Sequence, residues 1–341
     1  MTPQHALLWA GSAALLSVLG TGLVRRYALT RLIDQPNERS SHKIPTPRGG
    51  GLAILLVFLL ILPIAWLTAQ IPGTLAIGLG FCGGIIGAVG FWDDHASLSA
   101  KIRLIIHFVG AGALLTWIGA VPTIPIGSKE LYLGGIGFAV GAFLIVWHIN
   151  LTNFMDGIDG LAASQAVFVS AAGCAVAMGY GDYDVAILAA VFSGASLGFL
   201  CWNWPPAKIF MGDVGSGFLG AMLGGLMWYS AVKHSGAFWC WLILNAAFIG
   251  DATYTLLYRL LTGQRWMDAH RSHVYQHLAG WHGHFNVTMG LWGVNIFYFG
   301  PLAYMAWLRP DKGWWLMLTA LAPLVALCAI CGAGKKDPNG S

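Results

Sequence analysis

Eleven runs of mostly apolar residues, each near the length a helix needs to cross a bilayer, decide what this chain can become. They lie at about 6–24, 50–69, 73–91, 102–121, 133–151, 162–179, 184–202, 217–232, 236–258, 286–307 and 312–331. A helical span takes about 20 such residues, and only helices or closed barrels satisfy their backbone polar groups inside hydrocarbon. The expected fold is all-α, a polytopic integral membrane helix bundle of eleven transmembrane helices, forming a single domain over residues 1–341. Charged residues make up only 9% of the chain, against about 25% in soluble proteins. That excludes an ordinary soluble enzyme, a nucleic-acid-binding domain and a disordered chain. The lipid bilayer is an expected partner, and nucleic acid is not. The first run has no basic segment before it and is followed by Arg25 and Arg26, so it reads as a retained span rather than a cleaved signal peptide.

With eleven spans the connections alternate sides. The side that receives loops at about 25–49, 92–101, 152–161, 203–216 and 259–285 and the C-terminus holds 14 of the 18 Lys and Arg residues. The positive-inside rule makes that side cytoplasmic and puts the N-terminus outside. Ten of the 14 acids fall on the same side. Acids are costly in a membrane, so their clustering predicts an active site on the cytoplasmic face.

Five clusters stand there. Asp93 and Asp94 are adjacent carboxylates, which persist together where a cation or proton is shared or where water is plentiful. In N-L-T-N-F-M-D-G-I-D-G, Asn150, Asn153, Asp156 and Asp159 recur every three residues and would share one helical face. That oxygen-rich surface suits Mg²⁺. Asp213, in F-M-G-D-V-G-S-G, reads either as a helix cap or, with the other acids on its side, as a metal ligand. His270, Arg271, His273 and His277 lie in the 259–285 loop. His273 and His277 would share a face if this piece is helical, and the donors suit an anionic phosphate ligand better than zinc, since the Glu of H-E-x-x-H is missing. The Pro- and Gly-rich stretch 32–54 carries Arg39, His42, Lys43 and Arg48, which either hold lipid headgroups or serve as the orientation signal.

Other patterns read as structure. The six cysteines sit in apolar stretches and are expected as packing residues. Gly78, Gly80 and Gly83 form a G-x-G-x-x-G inside a span, where small residues serve helix packing. Asp251 is the acid deepest in a span, and both a bundle contact and a substrate contact stay open. His282 and His284 read as surface residues.

Taken together and in this order, P-T-P-x-G-G (Pro45 to Gly50), the Asp pair, N-x-x-N-x-x-D-G-x-D-G, F-M-G-D-x-G-S and the His loop resemble the polyprenyl-phosphate N-acetylhexosamine-1-phosphate transferase family (glycosyltransferase family 4). The resemblance runs from about residue 32 to 278. It implies that undecaprenyl phosphate attacks the sugar-bearing phosphorus of a UDP-N-acetyl-sugar, releasing UMP, in a bacterial inner membrane. It implies Mg²⁺, with Mn²⁺ able to substitute, held by Asp213 and Asp156. Asp93, Asp94 and Asp213 are then the catalytic set, with Asp93 a candidate base. Lys43, Asn150, Asn153, Asp156, Asp159, His270, Arg271, His273 and His277 bind substrate. A homodimer stays open. Ser97 stands where some members have a third Asp, and His-Val-Tyr-Gln-His replaces a run of adjacent histidines. Those departures point to the O-antigen initiating branch, with UDP-GlcNAc, UDP-FucNAc or UDP-QuiNAc as donor, rather than to phospho-MurNAc-pentapeptide transfer. The rival is a cation- or proton-coupled transporter, which would place its charges near the midplane of an internal repeat. Here they gather at one face.

Overall fold

The computed structural model describes residues 3–35, 44–264 and 270–335, and they form a helix bundle with two short hairpins. The helices are α1 (Pro3–Arg31), α2 (Leu52–Leu67), α3 (Gly73–His95), α4 (Ala100–Ile118), α5 (Ile136–Phe154), α6 (Leu161–Tyr180), α7 (Tyr183–Asn203), α8 (Asp213–Lys233), α9 (Ala237–Leu244), α10 (Ala246–Leu261), α11 (Val274–Val294), α12 (Gly300–Leu308) and α13 (Gly313–Ile330). A π-helical turn, Asn295–Phe299, joins α11 to α12. Strands β1 (Ile33–Asp34) and β2 (Thr46–Pro47) pair antiparallel, as do β3 (Thr123–Ile126) and β4 (Lys129–Tyr132).

Each of the eleven apolar runs is helical, but not all are equal as spans. Among the described residues seven helices are long and apolar enough to cross a membrane, or eight if α9 and α10, bent by 68°, count as one span. Helix α2 has 16 residues and a proline at position 63. Helix α8 has 21 residues, and nearly all of them are buried. It packs against α3 and α5 at the centre of the bundle. Its neighbours are protein rather than lipid, so its glycines and serines replace the leucines of a lipid-facing helix. The run at 286–307 is spread over α11, the π turn and α12.

Local signals set the ends. Ser99 caps α4 through the backbone N–H of Ile102, and Gly119 closes it at φ 70°. Gly194 and Gly198 let α7 lie against the backbone of α1 at Ala10 and Ala14, where any side chain would collide. The cysteines are free; Cys201 is exposed and Cys331 half-buried, while the other four are buried as expected. Helices also extend further than the sequence pattern. Helix α1 runs to Arg31, and α11 absorbs His277, His282 and His284, which the sequence placed in a loop.

Candidate active site

Two glycine-bearing motifs build one wall. The Phe210 N–H donates to the Pro47 carbonyl (2.8 Å), and the N–H groups of Gly50 and Gly51 donate to the carbonyls of Phe210 and Met211 (both 2.9 Å). The segments meet at van der Waals contact: a Cβ on Gly51 would strike the Gly215 backbone, and one on Gly212 would stand 2.6 Å from Asp94 Oδ2. Gly212 also sits at φ 77°, where a side chain is strained.

Against that wall lies the end of α3. The buried Asp94 carboxylate accepts from the N–H groups of Asp213 (3.1 Å) and Val214 (3.2 Å), the first two residues of α8. Asp94 therefore caps α8 from another helix, and its charge meets the positive end of the helix dipole. Arg48 donates to the Asp94 carbonyl (2.5 Å) and holds its Nε 3.8 Å from Oδ1. Asp213 does not cap its own helix; the capping position is Gly212. Its carboxylate is turned into the site, accepting from Asn153 Nδ2 at 2.5 Å. Asn153 also donates to Ser216 Oγ (2.9 Å).

Asp93 is occupied on both oxygens. Oδ1 accepts from the Leu98 N–H (2.5 Å) and Oδ2 from Arg103 (2.6 Å). The same Arg103 nitrogen is 3.7 Å from Asp213 Oδ2. One guanidinium on α4 thus bridges two carboxylates while staying one-third exposed. The sequence had placed Arg103 only among the orientation charges. Its signal was its distance from the Asp pair: a tight turn between α3 and α4 returns it to the pair.

The loop after α5 forms the next side. Asp156 accepts no hydrogen bond from any described residue; burial, and then the carboxylates of Asp213, Asp94 and Asp159, push its carboxyl well above the usual range. Asp159 is fully engaged: Oδ2 accepts from the Ala207 N–H (3.0 Å), Oδ1 lies 3.3 Å from His284 Nδ1, and its carbonyl accepts from Thr288. His284 is therefore an internal tie rather than the surface residue expected. Asn150 turns back to the Val146 carbonyl of its own helix (2.7 Å), and α5 ends at Phe154, so Asp156 and Asp159 lie beyond the helix and the four-residue face predicted for 150–159 does not form.

The histidine cluster divides. His273 precedes the first residue of α11, in a reciprocal capping arrangement with Gln276, and its Nδ1 lies 3.2 Å from Asp251. Asp251 also accepts from the N–H groups of Val274 and Tyr275 (both 3.0 Å), which settles it as a bundle contact that caps α11. His277 points elsewhere, to the Cys331 carbonyl (2.9 Å), so the expected shared face of His273 and His277 does not form. His270 stacks on His273 and meets Ser272 Oγ (2.9 Å). Burial, with His273 and Arg259 adding to it, lowers the His270 imidazole to about 3. Arg271 is exposed beside them. Tyr275, unnoticed in the sequence, donates to the Phe154 carbonyl (2.9 Å) and touches Gly157, seating this segment against the Asp156 loop. Lys43 lies outside the described residues.

Among the described residues no group of three or more His, Cys, Asp or Glu side chains is arranged as a ready cage for a metal ion. Mg²⁺ does not require one, because it binds through one or two carboxylates with waters and substrate phosphates. Asp156, without a donor among the described residues, and Asp213, one-third exposed beside it, fit that demand.

The family model described as glycosyl transferase family 4 matches residues 76–231. The chain is 32% identical over 265 residues to the probable undecaprenyl-phosphate N-acetylglucosaminyl 1-phosphate transferase of Bacillus subtilis, covering 76% of this chain and 73% of that one. It is 34% identical over 253 residues to the decaprenyl-phosphate N-acetylglucosaminephosphotransferase of Mycolicibacterium smegmatis, and 35% identical to that of Mycobacterium tuberculosis. Each of those two matches covers 65% of this chain and 59% of the mycobacterial protein, so the chain spans about three fifths of their length.

Proposed function

The chain belongs to glycosyl transferase family 4, among the polyprenyl-phosphate N-acetylglucosamine-1-phosphate transferases, and on that premise we propose that it moves an N-acetylhexosamine 1-phosphate from a UDP-sugar to undecaprenyl phosphate. A lipid phosphate oxygen attacks the sugar-bearing phosphorus, the bond from that phosphorus to the UMP oxygen breaks, and UMP leaves with the electron pair. The observation that carries this reading is the meeting of Asp213, Asp93, Arg103 and Asn153 beside Asp156, to which no described residue donates, at one end of the bundle. Two polyanions react only where positive charge gathers them, and the protein's work is then positioning and electrostatic stabilisation.

Arg103 supplies fixed positive charge and can trade a carboxylate for a phosphate. Asp156 and Asp213 would hold Mg²⁺, which when bound neutralises phosphate charge and polarises the phosphorus–oxygen bond. Asp93, with both oxygens engaged, orients Arg103 rather than taking a proton. The attacking monoester is already largely anionic at neutral pH and needs no base. Asp94 sets the first turn of α8 and so the direction of Asp213. Asn153 aligns the Asp213 carboxylate. His270, Arg271 and Tyr275 stand on the donor side. The relatives' names favour UDP-N-acetylglucosamine as donor, with the N-acetylfucosamine and N-acetylquinovosamine forms as competitors in starting a lipid-linked surface polysaccharide. The bias of basic residues favours a cytoplasmic-facing site in a bacterial inner membrane. A transporter reading lacks support, since the charges gather at an end of the bundle.

The test is purified protein with undecaprenyl phosphate, Mg²⁺ and each UDP-N-acetyl sugar in turn, with UMP release as the readout. UMP formed only when both substrates are present supports the assignment. No UMP with any donor refutes it.

A further inference from the structure

A second concentration of charge at this end of the bundle takes no part in the carboxylate site. Trp202, in the last turn of α7, is fixed by its indole N–H donating to the Val18 carbonyl (3.0 Å). Two cations address that one ring. The Arg25 guanidinium carbon is 6.0 Å from its centre and Lys208 Nζ 5.8 Å. Arg25 Nε donates to the Lys208 carbonyl (3.0 Å), which ties the two together. Neither side chain pairs with a carboxylate among the described residues.

The two charges on this ring meet no carboxylate among the described residues, and an indole returns only about 0.5–1 kcal/mol per cation at exposed positions. An anion drawn to this place would supply the missing negative charge. The surroundings say what carries it. On α1, Leu15 and Leu19, in the turns before Arg25, are exposed, as the wall of a membrane protein exposes them to lipid. Lys208 is exposed at the edge of that wall. An indole with cations at the limit of an apolar surface is the composition found at headgroup depth. A free anion would use the charges but not the leucines; a phospholipid uses both.

We propose that Arg25, Lys208 and Trp202 bind the phosphodiester headgroup of an anionic phospholipid, with its acyl chains along the exposed leucines of α1. The site is separate from the acceptor phosphate's reaction centre. It touches that centre at one point: Lys208 follows Ala207, whose N–H holds Asp159.

The full chain is reconstituted in phosphatidylcholine nanodiscs with increasing phosphatidylglycerol, and bound lipid is counted by native mass spectrometry. The wild type should retain a tightly held phosphatidylglycerol. Lys208→Gln, at an exposed position that does not endanger folding, should weaken retention about fivefold, and adding Arg25→Gln should weaken it by a similar factor again. The exchanged pair Arg25→Lys with Lys208→Arg keeps both charges and should retain the lipid. Equal retention by the neutral variants overturns the proposal, as does equal loss in the exchanged pair. Displacement of the lipid by millimolar inorganic phosphate also overturns it, by making this a site for the free ion.

Discussion

Asp94→Asn separates a residue that shapes the site from one that performs the chemistry. The Asp94 carboxylate receives two backbone N–H groups of α8, at 3.1 and 3.2 Å, in a buried place. Asparagine offers one carbonyl oxygen and an amide that can only donate, so one of the two N–H groups loses its acceptor. An orphaned buried donor costs about 1–3 kcal/mol. Removing the charge from the helix N-terminus forfeits up to about 2 kcal/mol more, offset in part because a neutral side chain is cheaper to bury. The expected net loss is about 2 kcal/mol, seen as a fall of several degrees in Tm by scanning fluorimetry in detergent. Turnover should fall at least about tenfold, equivalent to about 1.4 kcal/mol of barrier, because the freed first turn carries Asp213. Wild-type Tm together with wild-type UMP release in Asp94→Asn would refute the capping role and the coupling to Asp213 at once.

Asp213→Asn should show the opposite pattern, with turnover nearly abolished and Tm within about 1 °C of wild type, since this side chain does not cap its helix; a large Tm loss would make it structural. Arg103→Lys should cut kcat/KM about tenfold or more, because one ammonium cannot reach Asp93 and a phosphate as a guanidinium does; unchanged steady-state kinetics would remove Arg103 from the site. His270 is held neutral down to about 3, whereas in the unfolded chain it takes up a proton near 6.5. Its stabilising contribution is full above 6.5 and is lost as pH falls toward 3, so His270→Gln should lose less Tm than wild type between pH 7 and 5, and equal losses would contradict its burial. Ser128→Cys, at the turn between β3 and β4, should react with an impermeant maleimide in intact cells, and Lys101→Cys only after permeabilisation, both in a cysteine-free background; the reverse pattern would invert the orientation.

The bundle was legible because lipid leaves few solutions: length and apolarity locate every apolar run that became helix, though not the break between α9 and α10 or the start of α11 at Val274. The crowding of acids at one end was legible for a related reason, since an acid near a bilayer needs a partner. What each acid does was not legible. Asp213 stood open between a cap of α8 and a metal ligand, and the cap proves to be Asp94, 119 residues away along the chain; no local pattern reports an acceptor on another helix. Arg103 was indistinguishable from the charges that orient the spans. The four-residue spacing of His273 and His277 implied a shared face, but α11 begins between them, so the first looks to Asp251 and the second to Cys331. His284 seemed peripheral because its partner, Asp159, lies 125 residues earlier.

The long reach from Asp94 to α8 has a consequence for biogenesis. A ribosome adding about 5–20 residues per second takes roughly 6–24 s to travel the 119 residues from Asp94 to Asp213. Through that interval the third helix sits in the translocon or the membrane with a carboxylate whose two N–H donors have not been synthesised, and Arg48, made before it, must answer its charge meanwhile. Without that help it would have to stay near the aqueous surface or carry a proton until α8 arrives. A chain truncated before residue 213 never leaves that condition, and quality-control proteases would meet it as an unfinished membrane protein.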